Sequence, residues 1–269
     1  MTFQGLAPER VLILSSRGSA YGAQVLRAAR AAGLNVVGVI IEDAYARGGW
    51  HRIKRSVRRY GWLAVLFRGF EVCCSRTVAR LAARRRAETV EEAASECGVS
   101  CLMVASLNGK EARRAISAYR PDLALLGGTG ILDGKTLSLF PLGVLNAHPG
   151  LLPQYQGNYG NRWAVLNGDQ CGITVYRLSP VLDEGPVLVR EIVERGRREW
   201  PERLDVRVTT LCSQIVVRAA LEYMSGRLQP REQVPSEGKC YGLLPVRQAL
   251  RLYCRIWREK PKGHYRPSA

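Results

Sequence analysis

A mostly parallel α/β sheet is the architecture this sequence predicts, and three observations predict it. Short apolar runs of strand length alternate with stretches of helical period. The first runs follow the order strand, small-residue turn, helix, strand, which is how a crossover helix joins parallel strands. Side chains with reactive chemistry fall at the ends of later runs, where open α/β sheets place their ligand crevices.

The elements follow in order. RVLILSS at 10–16 reads as a buried strand. A small-residue turn at 17–22 leads into a helix over about 23–32 that stops at Gly33. NVVGVIIE at 35–42 is a second buried strand. A helix over 90–97 ends at Gly98, and 101–105 is a short strand. The helix over 110–119 stops ahead of Pro121, because a residue before proline is pushed out of the helical region. LALL at 123–126 is a strand that runs into the loop GGTGIL. The strand at 143–147 delivers Asn146 and His148. Runs at 172–178 and 186–193 read as later, antiparallel strands, and 204–223 as a long helix ending near Gly226. In the tail, Arg247, Arg251 and Arg255 recur at helical spacing. Leu250, Tyr253, Cys254 and Trp257 occupy another face, through which this helix is expected to dock.

A length of 269 residues suits one large domain with an appendage, or two small domains. The boundaries expected are 1–225 for the main domain, with an insertion at about 45–88, and 226–269 for a short basic C-terminal appendage. Hydrophobic residues make up 46%, enough for a sizeable core. No apolar run reaches the ~18 residues a membrane-spanning helix needs. The start, MTFQGLAPERVLIL, does not read as a signal peptide, since it lacks a basic segment followed by an apolar one. Eight irregularly spaced cysteines read as reduced thiols of a cytoplasmic protein. Neither Cys97 with Cys101 nor the adjacent Cys73 and Cys74 has a histidine at zinc spacing, so no metal is expected.

The net charge of +17 implies attraction to something anionic: nucleic acid, a phosphorylated substrate or an acidic membrane surface. It is concentrated in two segments. Residues 47–86 hold twelve Lys and Arg against one acid, Glu71, a surplus of +11. Residues 247–266 hold seven against one, Glu259, a surplus of +6. The remainder balances.

Two runs carry the chemistry: LNAHPGLLPQYQGNYGN at 145–161 and GITVYRLSPVLDEGPVL at 172–188. Of the three histidines, His51 and His264 sit in basic, solvated surroundings. His148 alone stands beside an asparagine at an apolar strand end, with a Gly/Pro-rich loop behind it. A side-chain amide, an imidazole and a carboxylate can together polarise a carbonyl, shuttle a proton and hold the shuttle in place. Asn146, His148 and Asp183 would each be at home in an ordinary turn. Their joint pattern is what points to a catalytic site.

The pattern N-x-H-P-x-L-L-P-x-Y-x-G, with D-x-G-P about thirty residues on, resembles the folate-dependent formyltransferase family. That family includes the glycinamide ribonucleotide, methionyl-tRNA and amino-sugar formyltransferases. The resemblance runs over about 11–193, with a gap at 45–88. It implies a Rossmann-like formyltransferase domain into which a basic, helical-looking segment is inserted. It implies 10-formyltetrahydrofolate as formyl donor and a primary amine as acceptor. Formyl transfer to an amine passes through a tetrahedral carbon bearing a negative oxygen, and that oxygen needs donors placed where the charge develops. By resemblance Asn146 and His148 supply them, His148 acting in its protonated form. Asp183 orients His148 and accepts the proton of the amine.

The same resemblance assigns the formyl donor to Leu126, Gly127, Gly128, Thr129, Gly130 and Ile131, with Leu178 and Val181 closing the other side. Tyr155, Asn158, Tyr159 and Asn161 are expected on the acceptor side, with Trp163 either beside them or in the core of its helix. Many family members carry an arginine where this chain has Gln156, which removes an anionic contact there. The turn SSRGSAYG follows a strand and opens a helix, and free helix N-terminal amides bind phosphate. Ser16, Gly18 and Ser19 are therefore a candidate phosphate site, or a plain tight turn.

Family members that act on methionyl-tRNA carry a C-terminal barrel longer than the stretch after Gly226 here, so a small acceptor, such as an amino sugar, is expected. Hydrolysis of the formyl donor is a variant of the same chemistry. The alternative from another class is a non-catalytic protein that reuses the fold to hold RNA or an anionic surface. In the insertion Trp50, Tyr60, Trp62, Phe67 and Phe70 alternate with arginines. That pattern suits a packed hairpin with solvated arginines, an anionic membrane surface, or RNA.

Overall fold

Strand β1 (Arg10–Ser16) holds the middle of the molecule, and Val11, Leu12, Ile13 and Leu14 within it are fully buried. A strand buried on both faces must be apolar throughout, which is the mark of a parallel sheet covered by helices on each side. The structure, a computed structural model, describes residues 9–43, 62, 69, 88–234 and 237–259. The expectations for the rest of the insertion and for the tail past Glu259 lie outside the described residues.

The elements after β1 are α1 (Ala20–Ala31), β2 (Asn35–Glu42), α2 (Val90–Glu96), β3 (Cys101–Val104), α3 (Lys110–Tyr119), β4 (Leu123–Gly127), α4 (Gly134–Leu137), β5 (Gly143–His148), β6 (Gln156–Gly157), α5 (Gly160–Asn167), β7 (Cys171–Arg177), β8 (Val187–Val193), α6 (Pro201–Met224), β9 (Cys240–Tyr241) and α7 (Val246–Arg258). The main sheet has the order β3-β2-β1-β4-β5-β7-β8. Its first five strands are parallel; β7 and β8 run antiparallel, as the sequence predicted.

Alternation along the strands sends the core to two sides. Val11, Ile13, Leu123 and Leu125 face α1, α2 and α6. Leu12, Leu14, Ala124 and Val144 face the opposite layer, where Ala112 and Ile116 of α3 pack with Phe140. Along α6 the residues Leu204, Val208, Cys212, Ile215 and Ala219 form one buried stripe. Each side chain of Leu or Ile size buried this way contributes about 1.5–3 kcal/mol.

Local chemistry sets the helix ends. The Ser19 hydroxyl accepts from the amide of Gly22 and starts α1 three residues earlier than its apolar period suggests. Thr89 and Glu92 form a reciprocal capping box on α2. Pro201 stands in the first turn of α6, where its missing N–H is no loss.

Two features depart from the sequence reading. Gly22, read as a turn residue, lies inside α1 because the helix approaches the sheet too closely for a side chain. A Cβ there would meet Ser15 Oγ at 2.1 Å and the Gly127 carbonyl at 3.2 Å. In α7 the docking face is Ala249, Leu252 and Ile256, all buried, and not the expected Leu250, Cys254 and Trp257, which are exposed. Both stripes have helical spacing; contact with α5 selects the smaller one. The segment after α6 also folds back on the main body. Arg231 pairs with Val187, and β9 pairs with β6 in a separate two-stranded sheet.

Gly22→Ala is expected to destabilise the fold by about 1–3 kcal/mol, the range for overpacking a tight core. A urea titration should show a lower midpoint at unchanged slope, and an unchanged midpoint would refute the close-approach role.

Candidate active site

Strand β5 supplies Asn146 and His148, two residues apart and so on one face of the sheet. Antiparallel β7 sets Tyr176 opposite Asn146 and Thr174 opposite His148. Thr174 holds the loop that follows β5: its hydroxyl donates to the Gly150 carbonyl at 2.8 Å and accepts from the Leu152 amide at 3.0 Å. The turn after β7 then brings back Asp183, which is buried and has a left-handed backbone at φ 56°. Aspartate tolerates this conformation better than most residues do. Gln233, from the segment after α6, donates to the carbonyls of Asp183 and Gly185 at 3.0 and 2.6 Å.

Each oxygen of the Asp183 carboxylate accepts one hydrogen bond. Oδ1 accepts from the Tyr176 hydroxyl at 2.6 Å, and Oδ2 from the Gly157 amide at 2.7 Å. Oδ2 also lies 3.7 Å from His148 Nδ1, an ion-pair distance and too long for a hydrogen bond. On the other side of the ring, His148 Nε2 meets the Tyr155 carbonyl at 2.7 Å. A carbonyl only accepts, so Nε2 carries the hydrogen and Nδ1 is left to face Asp183. Burial pulls the His148 pKa below its ordinary 6.5, with Asp183 and then the Tyr155 carbonyl acting the other way. The resting imidazole is therefore neutral at pH 7, and it can donate from Nδ1 only after taking a proton. Burial, followed by Asp183, raises the Tyr176 hydroxyl well above 10.

Next to these groups lies a cleft of about 170 Å³. Asn146, Tyr176 and Asp183 form its polar wall. Leu126, Thr129, Gly130, Ile131 and Leu132 form one side, and Leu178, Ser179, Val181 and Leu182 the other. Ile131, Val181 and Leu182 are exposed, an arrangement that suits a flat, partly apolar ligand.

Several expected residues are placed differently. Gly127 does not line the cleft: a Cβ on it would meet Gly22 Cα at 2.7 Å, so it serves helix packing. Gly128 is exposed beside the cleft with φ at 81°. The Gly18 amide is taken by the Glu91 carboxylate at 2.9 Å, and the Ser19 hydroxyl donates to the Gly127 carbonyl at 2.8 Å. A phosphate at Ser16, Gly18 and Ser19 would have to displace Glu91. Asn161 is buried and paired to both backbone groups of Gly172. The Tyr155 hydroxyl is bound to Asp169 and Asn167, and burial with the Asp169 bond pushes its pKa up to about 12. Asn158 is exposed, and Tyr159 caps α5 in the left-handed conformation. Trp163 donates to the Gly242 carbonyl and packs against Tyr241. Sequence reasoning missed Tyr176 and Gln233; the only signal for Tyr176 was its two-residue spacing from Thr174, and register gave that spacing its meaning.

An amide, an imidazole and a carboxylate thus stand together beside an apolar cleft on a Rossmann-like sheet, a set whose chemistry suits acyl transfer. Residues 70–220, more than half of the chain, match the family model described as Formyl transferase, and the protein belongs to that family. The methionyl-tRNA formyltransferase of Thermotoga neapolitana is 34% identical over 146 residues, 54% of this chain and 47% of that protein. The methionyl-tRNA formyltransferase of Aromatoleum aromaticum is 33% identical over 184 residues, 66% of this chain and 58% of that one. The chain thus spans about half the length of the curated relatives it matches. Among solved structures, glycinamide ribonucleotide transformylase 1 from Symbiobacterium toebii has a TM-score of 0.61 at 21% identity, covering 87% of this chain and all of that one. A sugar N-formyltransferase from Shewanella sp. FDAARGOS_354 has a TM-score of 0.57 at 13% identity, covering 92% of this chain and 87% of that one. At these identities the likeness is one of fold.

The buried histidine gives a pH dependence of known sign. Its pKa is lower folded than unfolded, so its contribution to stability is complete above about 6.5 and is lost as pH falls below that toward the folded value. His148→Gln should flatten this part of the stability curve in urea titrations between pH 7 and 5. An identical slope in wild type and variant would show that His148 is not held neutral.

Proposed function

We propose that the protein moves a formyl group from 10-formyltetrahydrofolate to the primary amine of a small acceptor, an amino sugar or a related metabolite. The observation that carries this reading is the meeting of Asn146 and Asp183 on the cleft wall with His148 directly behind them. The donor supplies an electrophilic formyl carbon. Loop 126–132 and the apolar side chains of Ile131, Val181 and Leu182 are the residues that would hold it. The Asn146 amide directs an N–H toward the oxygen where negative charge develops. His148 becomes a donor from Nδ1 only by taking a proton, and Asp183 is the group positioned to favour that charge. Asp183 takes the proton that the attacking amine loses, and the proton passes on to the departing nitrogen of the donor. The new C–N bond forms as the old one breaks, with no net change in oxidation.

Two observations support an acceptor held without a phosphate at the first strand's turn. Glu91 already fills the Gly18 amide there, and Gln156, buried beneath Gly238, stands where many family members carry arginine. A second reading has its own support. The curated relatives are named for methionyl-tRNA, and a net charge of +17 suits an RNA-borne amine.

Calorimetry with 5-formyltetrahydrofolate should give saturable heat, and silence at millimolar ligand would remove the folate reading. His148→Ala and Asp183→Ala are each expected to lower turnover about 10²-fold or more while the fold survives. A variant keeping over half the wild-type rate would show the constellation to be misassigned. Offered methionyl-tRNA beside free and nucleotide-linked amino sugars, the protein should formylate a sugar faster. Faster formylation of the tRNA that persists at ~0.2 M salt, where non-specific contacts fade, would put the second reading in its place.

A further inference from the structure

Tyr176 is 1% exposed, yet its hydroxyl lies among the polar groups of the cleft wall and not against the core. A hydroxyl buried at that depth needs partners. It has two, and both belong to the constellation above. It donates to Asp183 Oδ1 at 2.6 Å and accepts from Asn146 Nδ2 at 3.3 Å.

The direction of this chain is forced. An ionised carboxylate only accepts, so the tyrosine proton points at Asp183. The tyrosine oxygen then shows lone pairs to Asn146, and only the NH2 end of the amide can face it. One N–H of Asn146 is bound there, and the other is free to point into the cleft. Among the described residues this hydroxyl is the group bonded to the Asn146 amide, and an amide rotated in its absence would offer a carbonyl oxygen to a developing negative charge. The cross-strand register that sets Asn146 opposite Tyr176 makes the contact part of the sheet itself.

We propose, building on the formyl-transfer reading, that Tyr176 is a positioning residue: its hydroxyl fixes the Asn146 amide as a donor toward the cleft and holds the Asp183 carboxylate in one orientation. It acts through those two side chains and does not touch the reacting atoms.

Tyr176→Phe removes the oxygen and keeps the ring in the core. Turnover should fall about tenfold or more while KM for the formyl donor stays within about twofold, the signature of a contact that matters only in the transition state. A second measurement needs no turnover. The chain has three histidines, so ring-labelled protein gives resolvable NMR titrations. The titratable group facing His148 is Asp183, with Tyr176 bonded behind it; the Tyr155 carbonyl takes the other nitrogen. With the hydroxyl gone, Asp183 presents more charge to His148, and His148 should titrate at higher pH than in wild type. A 3-fluorotyrosine at position 176 keeps the shape and makes the hydroxyl a stronger donor, so it should move His148 the opposite way. Titrations that coincide in all three proteins would overturn the proposal, as would a variant with kcat intact and KM raised. A His148 titration moved by Tyr176→Phe, in a protein whose wild type formylates no acceptor, would sink the proposed activity and leave the assignment of Tyr176 standing.

Discussion

The antiparallel pairing of β5 with β7 is the constraint on which the rest of the site depends. It aligns Asn146 with Tyr176 and His148 with Thr174, so four polar side chains rise from one face of two neighbouring strands. Side chains alternate with a period of two, and a slip of one residue would turn both Thr174 and Tyr176 to the wrong face. The apolar neighbours guard against this. Leu145, Ala147 and Val175 belong to the core on the opposite side of the sheet, and a slipped register would expose them. Packing energy on one face thereby fixes the geometry of the candidate site on the other.

The loops are held by polar contacts that reach across the chain. Thr174 ties down the backbone of Gly150 and Leu152, and Asp183 takes the Gly157 amide. Gln233 braces the left-handed turn at Asp183 from behind. Residues 231–234 and 237–241 are therefore bound to both loops that carry the constellation, through Gln233 at one turn and the β6–β9 pairing at the other. Strain of a few kcal/mol at a buried aspartate persists only where its surroundings over-determine the conformation. Here two side chains and one backbone amide do so.

Buried charge follows the same logic elsewhere. Arg162 is 2% exposed, and the cost of burying its charge is offset by Asp205 at 2.7 Å and Glu202 at 3.7 Å. These partners come from α6, so the pairing locks the helix after the constellation loop to the longest helix among the described residues. His148 lacks such a partner at hydrogen-bonding distance and is neutral instead. Burial disfavours charge: a guanidinium that cannot give up its proton needs close counter-charges, whereas an imidazole sheds its proton.

Much of the fold was legible in the sequence because its signals are local. The apolar runs of β1, β2 and β4, the alternation toward β7 and β8, and the period of α6 each depend on residues close in the chain. Asn146, His148 and Asp183 could be named as candidates for a similar reason: each sits in a short run with distinctive turn chemistry. The tertiary structure decided what distant segments do to one another. It chose Ala249, Leu252 and Ile256 over an equally periodic stripe on α7, and made Gly22 and Gly127 packing positions instead of loop glycines. It filled the Gly18 amide with Glu91, turned Asn161 and Tyr155 inward, and brought Tyr176 and Gln233 to Asp183. The sequence by itself determined which residues could carry the chemistry, because chain-local pattern encodes element type. Only the folded chain decided which of them meet, because register and close approach are settled between segments far apart in sequence.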